Sequence, residues 1–516
     1  MTSTKATAFG LAIAATLAPG FANSQPEQTA EEAQPTIEQQ LDELKAARES
    51  LLGEIEKFNS RIEKLESEIK SPQPLPTSIP AGDVNKAQPA PVVTQPVVAS
   101  NPEPTGQPDQ SESGIPNGLF GTYLPGKGFI LNSGKYGEIG MTLIAYVRYL
   151  NQLGLDKTYT DSFGRTTTLQ LRQDVQLNKV NITFKGWLFD PDFTFRAWVW
   201  TQNAAMGEGA QVVVGGQLGY HFNDHLTVYG GIAPLPSTRT TNWTYPYWLK
   251  MDNRTIADEF FRASYTSGFW AEGKITDRVF YRAMIANNLS ALGVSATQLD
   301  NQLNTLSGTV WWMPTTGEYG PLEGFGDYEY HEKFATRLGI HYTRSREDSQ
   351  DQPSVNAFEN SQIRLSDGTL IFQPGAFGTD GQIRKATYQM LDANAGFKYR
   401  GWSLEGEYYV RWVNDFQTIG TIPVTHLFDQ GFQVQASTML IRDRLQFYLT
   451  GSQVFGQYGN PWDGTIGLNW YPFARRAIHI NTQGTYLWRS PVGGSSYPYI
   501  VGGTGWFFNT DFIITF

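Results

Sequence analysis

The chain has 516 residues, 0 cysteines and a net charge of -10, so a disulfide framework and a thiolate metal site are both excluded. Charged residues are 17% and aromatic residues 14%, a charge content below the roughly 25% of an ordinary soluble domain. Residues 1–118 hold 8 Lys/Arg against 16 Asp/Glu, a balance of -8, while residues 119–516 hold 31 against 33, a balance of -2; so neutral a body is no footprint for nucleic-acid binding.

The chain opens "MTSTKATAFGLAIAATLAPGFANSQ". Lys5 supplies a positive end, residues 7–18 are an apolar run, and Gly20 and Ala22 are the small residues of a cleavage site. The pattern predicts a signal peptide over residues 1–22. A buried N-terminal helix is the alternative, but Pro19 and Gly20 end the run where a cleavage region begins. Export from the cytoplasm follows. No other stretch has the roughly 18 unbroken apolar residues of a transmembrane helix.

Residues 36–70 carry a heptad repeat. Ile37, Leu44, Leu51, Phe58 and Leu65 fall at position d, and Leu41, Arg48, Ile55, Ile62 and Ile69 at position a, with Glu and Lys crowding the other positions. The narrow stripe predicts a self-associating coiled coil in the periplasm rather than a helix docked on its own domain. Ile at a with Leu at d suits two strands. The run Arg61-Ile62-Glu63-Lys64-Leu65-Glu66 resembles a trimerisation signature, and a homotrimer is the expectation. Residues 71–118 are proline-rich and without period, a semi-extended linker.

From residue 119 onward the pattern is strands. Sixteen alternating segments are expected at 137–150, 177–189, 193–201, 211–222, 226–233, 264–275, 279–287, 307–314, 333–344, 387–399, 402–412, 429–440, 444–454, 464–472, 477–488 and 505–516. Short connections such as Asp190-Pro191-Asp192, Asn223-Asp224-His225 and Arg400-Gly401 alternate with long ones near 151–176, 234–263, 288–306, 345–386, 413–428 and 489–504, with one exception at 315–332. Short turns on one side and long loops on the other predict a sixteen-stranded antiparallel β-barrel in the outer membrane. In hydrocarbon only helices and closed barrels satisfy every backbone polar group. A pair of secreted β-sandwich domains would also alternate, but gives no reason for the rhythm of the connections. The barrel explains the ending "GWFFNTDFIITF": Trp506, Phe508, Phe512 and Ile514 share a face that lipid would cover, and the strand pairs with the first to close the ring. A terminal Phe516 resembles the signal read by the barrel-assembly machinery. Alternation puts Thr194, Arg196, Trp198 and Trp200 of one strand, and Ser403, Glu405, Glu407, Tyr409 and Arg411 of another, on the inner face, which predicts a water-filled channel.

From about residue 135 to the end the chain resembles the phosphate-selective porins O and P and their broader family. The resemblance rests on "YGGIAPLPSTRTTNWTYPYWLKMDNRTIADEFFRASYTSGFWAEGKI" at 229–275, the strand rhythm and Phe516. It implies that the third long loop, residues 234–263, folds into the barrel and narrows it. That loop carries Arg239, Lys250, Arg254 and Arg262 opposed by Asp252, Asp258 and Glu259, with Trp243, Tyr245, Tyr247 and Trp248 to pack it on the wall. Alternation adds Arg148, Lys179, Lys185, Arg196, Arg337 and Arg411 on inner faces. Rings of Arg or Lys favour anions, so anions among other small hydrophilic solutes are the expected cargo; the alternative is that these cations pair with Glu405, Glu407 and similar acids to fill the lumen. The barrel segment has only 10 Lys, spread along it, unlike the dense lysine cluster of the phosphate-selective members.

No cofactor or metal is expected and the chain does not read as an enzyme. His331-Glu332 lacks the second His of a zincin helix, there are only 6 His, and no phosphate loop or nucleophile elbow appears. The reading of another class is a cell-envelope tether or adhesin, with the barrel as a plugged anchor.

Overall fold

The computed structural model describes residues 122–124, 127–202, 211–250, 253–292, 294, 302–353, 362–494 and 497–515. The signal peptide, the coiled coil (Leu41, Leu44, Leu51, Ile55, Phe58, Ile62, Leu65 and Ile69), the linker, Asp252 and Phe516 lie outside them. Of two compact units, Met1–Thr105 and Gly106–Phe516, the second holds every described residue.

Two short strands, β1 (Tyr123–Leu124) and β2 (Gly128–Gly134), precede β3 (Gly137–Leu155), and β4 (Thr158–Thr160) and β5 (Thr166–Thr168) form a hairpin in the first loop. Then follow β6 (Gln173–Leu188), β7 (Asp190–Gln202), β8 (Gln211–Asn223), β9 (Leu226–Pro234), β10 (Tyr265–Thr276), β11 (Val279–Ala286) and β12 (Thr305–Trp312). The remainder are β13 (Ala335–Asp348), β14 (Gln382–Tyr399), β15 (Trp402–Ile419), β16 (Leu427–Ile441), β17 (Leu445–Phe455), β18 (Trp462–Trp470), β19 (Ile478–Trp488) and β20 (Gly505–Thr515). Strand β3 and β6 to β20 pair antiparallel, each with its neighbour in sequence, and β20 pairs back onto β3 from Thr515↔Ile144 to Gly505↔Leu155. Sixteen strands therefore close into a barrel. Below the end of β20, β2 takes its place against β3, Phe129 opposite Met141.

All sixteen expected strands are present and several run longer. β15 continues to Ile419 and β16 begins at Leu427, so the long connection expected at 413–428 shrinks to residues 420–426. At about 3.4 Å per residue the 18 residues of β15 reach about 60 Å, well past a lipid-facing band about 25 Å tall. Alternation outside such a band no longer contrasts lipid with lumen, so the strand end has no hydropathy signal. The Arg400-Gly401 turn places both residues at positive φ (49° and 84°), the geometry of a two-residue hairpin whose twist matches its strands.

Inside and outside follow the alternation. On β20, Trp506, Phe508, Phe512 and Ile514 are exposed while Phe507, Asn509, Asp511 and Ile513 are buried. On β15, Trp402, Leu404, Tyr408 and Trp412 face outward, and Ser403, Glu405, Glu407, Tyr409 and Arg411 are buried.

The lumen departs from a simple water-filled tube. Its main apolar cluster joins Ile256, Phe260 and Phe261 of the third loop to Ile363, Leu365, Ile371 and Phe377 of the fifth and to Val492 and Tyr499 of the eighth. These loops bring their own hydrophobic residues into the barrel, which a strand-period reading of the walls does not register.

Candidate functional site: the luminal constriction

The third loop, L3 (residues 235–264), sits in the lumen because side chains of the wall hold it, with a dense set of anchors on one side. The Arg239 amide donates to Glu407 Oε1 at 2.7 Å and its Nε to Glu405 Oε2 at 3.3 Å. Thr255 Oγ1 donates to Gln433 Oε1 at 2.8 Å, the Ala257 amide to Ser452 Oγ at 3.0 Å, and Lys250 Nζ pairs with Asp463 at 3.4 Å. Helix α1 (Ile256–Phe261) is capped by Thr255, whose side chain accepts from the Asp258 amide, and Arg411 lies 4.0 Å over the Phe260 ring. These anchors are on β15 to β18, so L3 leaves its open space on the opposite side, against β6 and β7.

That space is a cavity of about 1130 Å³ running from Arg262 and Ser264 to the β1–β2 hairpin at the short-turn end. Its lining includes Lys179 and Lys185 of β6, Arg196 of β7, Arg254 and Arg262 of L3, and Arg475 and Arg476 of the turn after β18. No Asp or Glu lines it among the described residues. Aromatic rings alternate with the cations: Lys179 Nζ is 4.4 Å from the Trp200 ring centroid, and the Arg196 guanidinium 4.9 Å from that of Trp243. The acids of L3 stand one layer back. Glu259 Oε1 pairs with Arg262 at 2.6 Å and Glu259 Oε2 with Arg254 at 3.5 Å. Burial, then the neighbouring Glu407 carboxylate, push the Asp258 pKa up against the opposing pull of Arg254.

The cations expected from the sequence separate into two groups. Arg196, Arg254 and Arg262, with Lys179 and Lys185, come together on the cavity. Arg148 pairs with Asp511 at 2.7 Å, Arg239 with Glu405 at 3.3 Å, Lys250 with Asp463 at 3.4 Å, Arg337 with Glu323 at 2.7 Å and Arg411 with Asp429 at 2.6 Å. All five are buried cations in ion pairs away from the cavity. Sequence reasoning missed Arg475 and Arg476. The visible signal was an adjacent basic pair in a short connection, passed over because turns were read only for length. Of the four L3 aromatics expected to pack the loop, Trp248 lies in a cluster with Leu249, Phe325 and Tyr448, Tyr245 packs against that cluster and against Tyr146 and Ile513 of the wall, and Trp243 packs against the main cluster; all four border the cavity.

Solved structures with which the chain aligns include outer-membrane porins and channels. The anion-selective porin from Comamonas acidovorans aligns at 10% identity over 74% of this chain and 100% of its own, with a TM-score of 0.46. The outer-membrane OmpT of Vibrio cholerae gives 10% identity, 74% and 99% coverage and a TM-score of 0.45. The outer-membrane channel DcaP of Acinetobacter baumannii gives 9%, 74% and 99%, and 0.41. No protein-family model and no curated protein sequence matches the chain.

Proposed function

We propose that the protein is an outer-membrane porin of the trimeric kind, exported by its signal peptide and carrying small hydrophilic solutes, anions in preference to cations. The observation that carries the reading is the cavity inside a closed barrel, with seven Lys/Arg side chains and no carboxylate among its described lining. In such a site, walled by protein and partly shielded from bulk water, the fixed charge attracts anions and repels cations. The outward apolar faces fit outer-membrane lipid, and Phe516 fits a signal for the barrel-assembly machinery. Phosphate specificity in the manner of the porin O and P family is a narrower form of the reading; the scattered lysines favour a general anion preference. Purified protein in a planar bilayer should conduct in steps, and in a salt gradient its reversal potential should have the anion-selective sign. A cation-selective sign would overturn the anion preference.

The loop-filled half of the lumen favours a second reading, a plugged barrel anchoring a periplasmic tether or adhesin. Correctly folded protein that gives no conductance would decide for it.

A further inference from the structure

We propose that the long turn between β12 and β13, residues 313–334, is the second wall of the constriction and closes off a carboxylate-lined path that would undo anion preference. Phe325 is its positioning residue. The inference rests on the channel reading above.

Among the connections at the short-turn end, this one alone is long; the next longest spans residues 471–477. It turns into the barrel and meets L3 from below. The Phe325 amide donates to the Tyr247 carbonyl at 2.7 Å, Arg239 donates to the Glu323 carbonyl, and the Arg239 guanidinium lies 4.8 Å over the Phe325 ring. Approach is so close that a Cβ on Gly324 would lie 2.4 Å from Tyr247 Cβ. The barrel wall holds the turn from behind. Lys398 Nζ donates to the Tyr319 and Gly324 carbonyls at 2.8 and 2.6 Å, Arg337 pairs with Glu323, and Arg476 binds Glu329 and the Phe325 carbonyl at 2.8 and 3.1 Å.

What lies beside Phe325 gives the turn its role. A void of about 10 Å³, room for about one water, is lined by Phe325, Arg239, Glu405, Glu407, Asn394 and Gln433. At this void the charged wall residues are the carboxylates Glu405 and Glu407, with Arg337 of the wall donating to the bordering Asn394 at 2.7 Å, and Phe325 and Arg239 take up the space beside them. The cationic cavity then becomes the route for ions because the carboxylate-lined path is shut.

The test uses the full-length trimer in planar bilayers. Phe325→Ala should raise the conductance step and move the reversal potential toward zero; a mere loss of packing would lower folded yield without changing selectivity. Folded Phe325→Ala channels with wild-type conductance and reversal potential would overturn the inference. A second variant serves if Phe325→Ala does not fold: Phe325→Leu keeps an apolar side chain in the Trp248–Leu249–Tyr448 cluster and should raise the step and move the reversal potential in the same direction by a smaller amount. Folded Phe325→Leu channels with wild-type conductance and reversal potential would likewise overturn the inference. Wild-type protein without conductance would sink the channel reading instead.

Discussion

One residue type performs two tasks inside this barrel, and partners separate them. Arg196 stacks on Trp243 at the cavity, whereas Arg411 is fully buried with Asp429 2.6 Å away and the Arg364 carbonyl accepting at 2.7 Å. Neutralising each should therefore give different outcomes. Arg196→Gln should shift the reversal potential toward cation permeability with little change in thermal unfolding in detergent, and adding Lys179→Gln and Lys185→Gln should shift the reversal potential further. Arg411→Gln strands the Asp429 carboxylate in a buried site, which costs about 3–5 kcal/mol, and should lower the melting temperature with little direct effect on selectivity. The sequence showed that both side chains point inward, since alternation fixes the face. It could not show which of the two is paired, because the deciding carboxylate sits on another strand; Arg148 and its partner Asp511 are 363 residues apart.

The sixteen strands were legible because hydrocarbon and a polar lumen impose a period of two on each, and Phe508 next to Asn509 reads out that contrast directly. The inserts that shape the pore were legible only as long connections. L3 was expected in the lumen through family resemblance, while the turn at 313–334 stood out as a break in the rhythm with no stated consequence. Its own conformation is pinned by His331, which is hydrogen-bonded to Asp327 and lies 3.2 Å from Glu318 Oε2, both within the turn. Burial pulls the His331 pKa down, but the bonds to Asp327 and Glu318 outweigh it and raise it to about 9. A raised folded-state pKa means that this stabilisation is complete below the ordinary value of about 6.5 and is lost as pH rises through about 9. Lys398 and Arg476, which hold the same turn, and the nearby Arg400 do not replace the bond that His331 loses. Channels should accordingly become noisier and more conductive between pH 8 and pH 10 on the short-turn side, and His331→Gln should reduce that step, the remainder belonging to Lys398, which donates to two carbonyls of the same turn. A His331→Gln channel with the same pH response would assign it to another group.

For the molecule as a whole, closure matters more than any single insert. The last strand pairs with the first along 10 registered positions, and the buried Arg148–Asp511 pair crosses that seam while Arg148 also reaches Asn253 of L3 at 3.2 Å. Barrel closure and loop placement thus share one side chain. The described residues that border the cavity are drawn from β1 through to β20, so the cavity depends on the barrel being closed. Assembly is a separate matter. The heptads at 36–70 are joined to the barrel by a proline-rich linker able to span on the order of 100 Å. On the proposed trimeric reading, a tether of that reach would gather three chains chiefly by raising their effective concentration. Deleting residues 36–104 from the exported protein should then leave the size and ion preference of each conductance step unchanged. The groups of three equal steps expected on insertion of an intact trimer should give way to single steps as protein is diluted. Persistence of triple steps in the truncated protein would place the trimer contact on the barrel wall, and a changed step size would show that the N-terminal segment contributes to the pore itself.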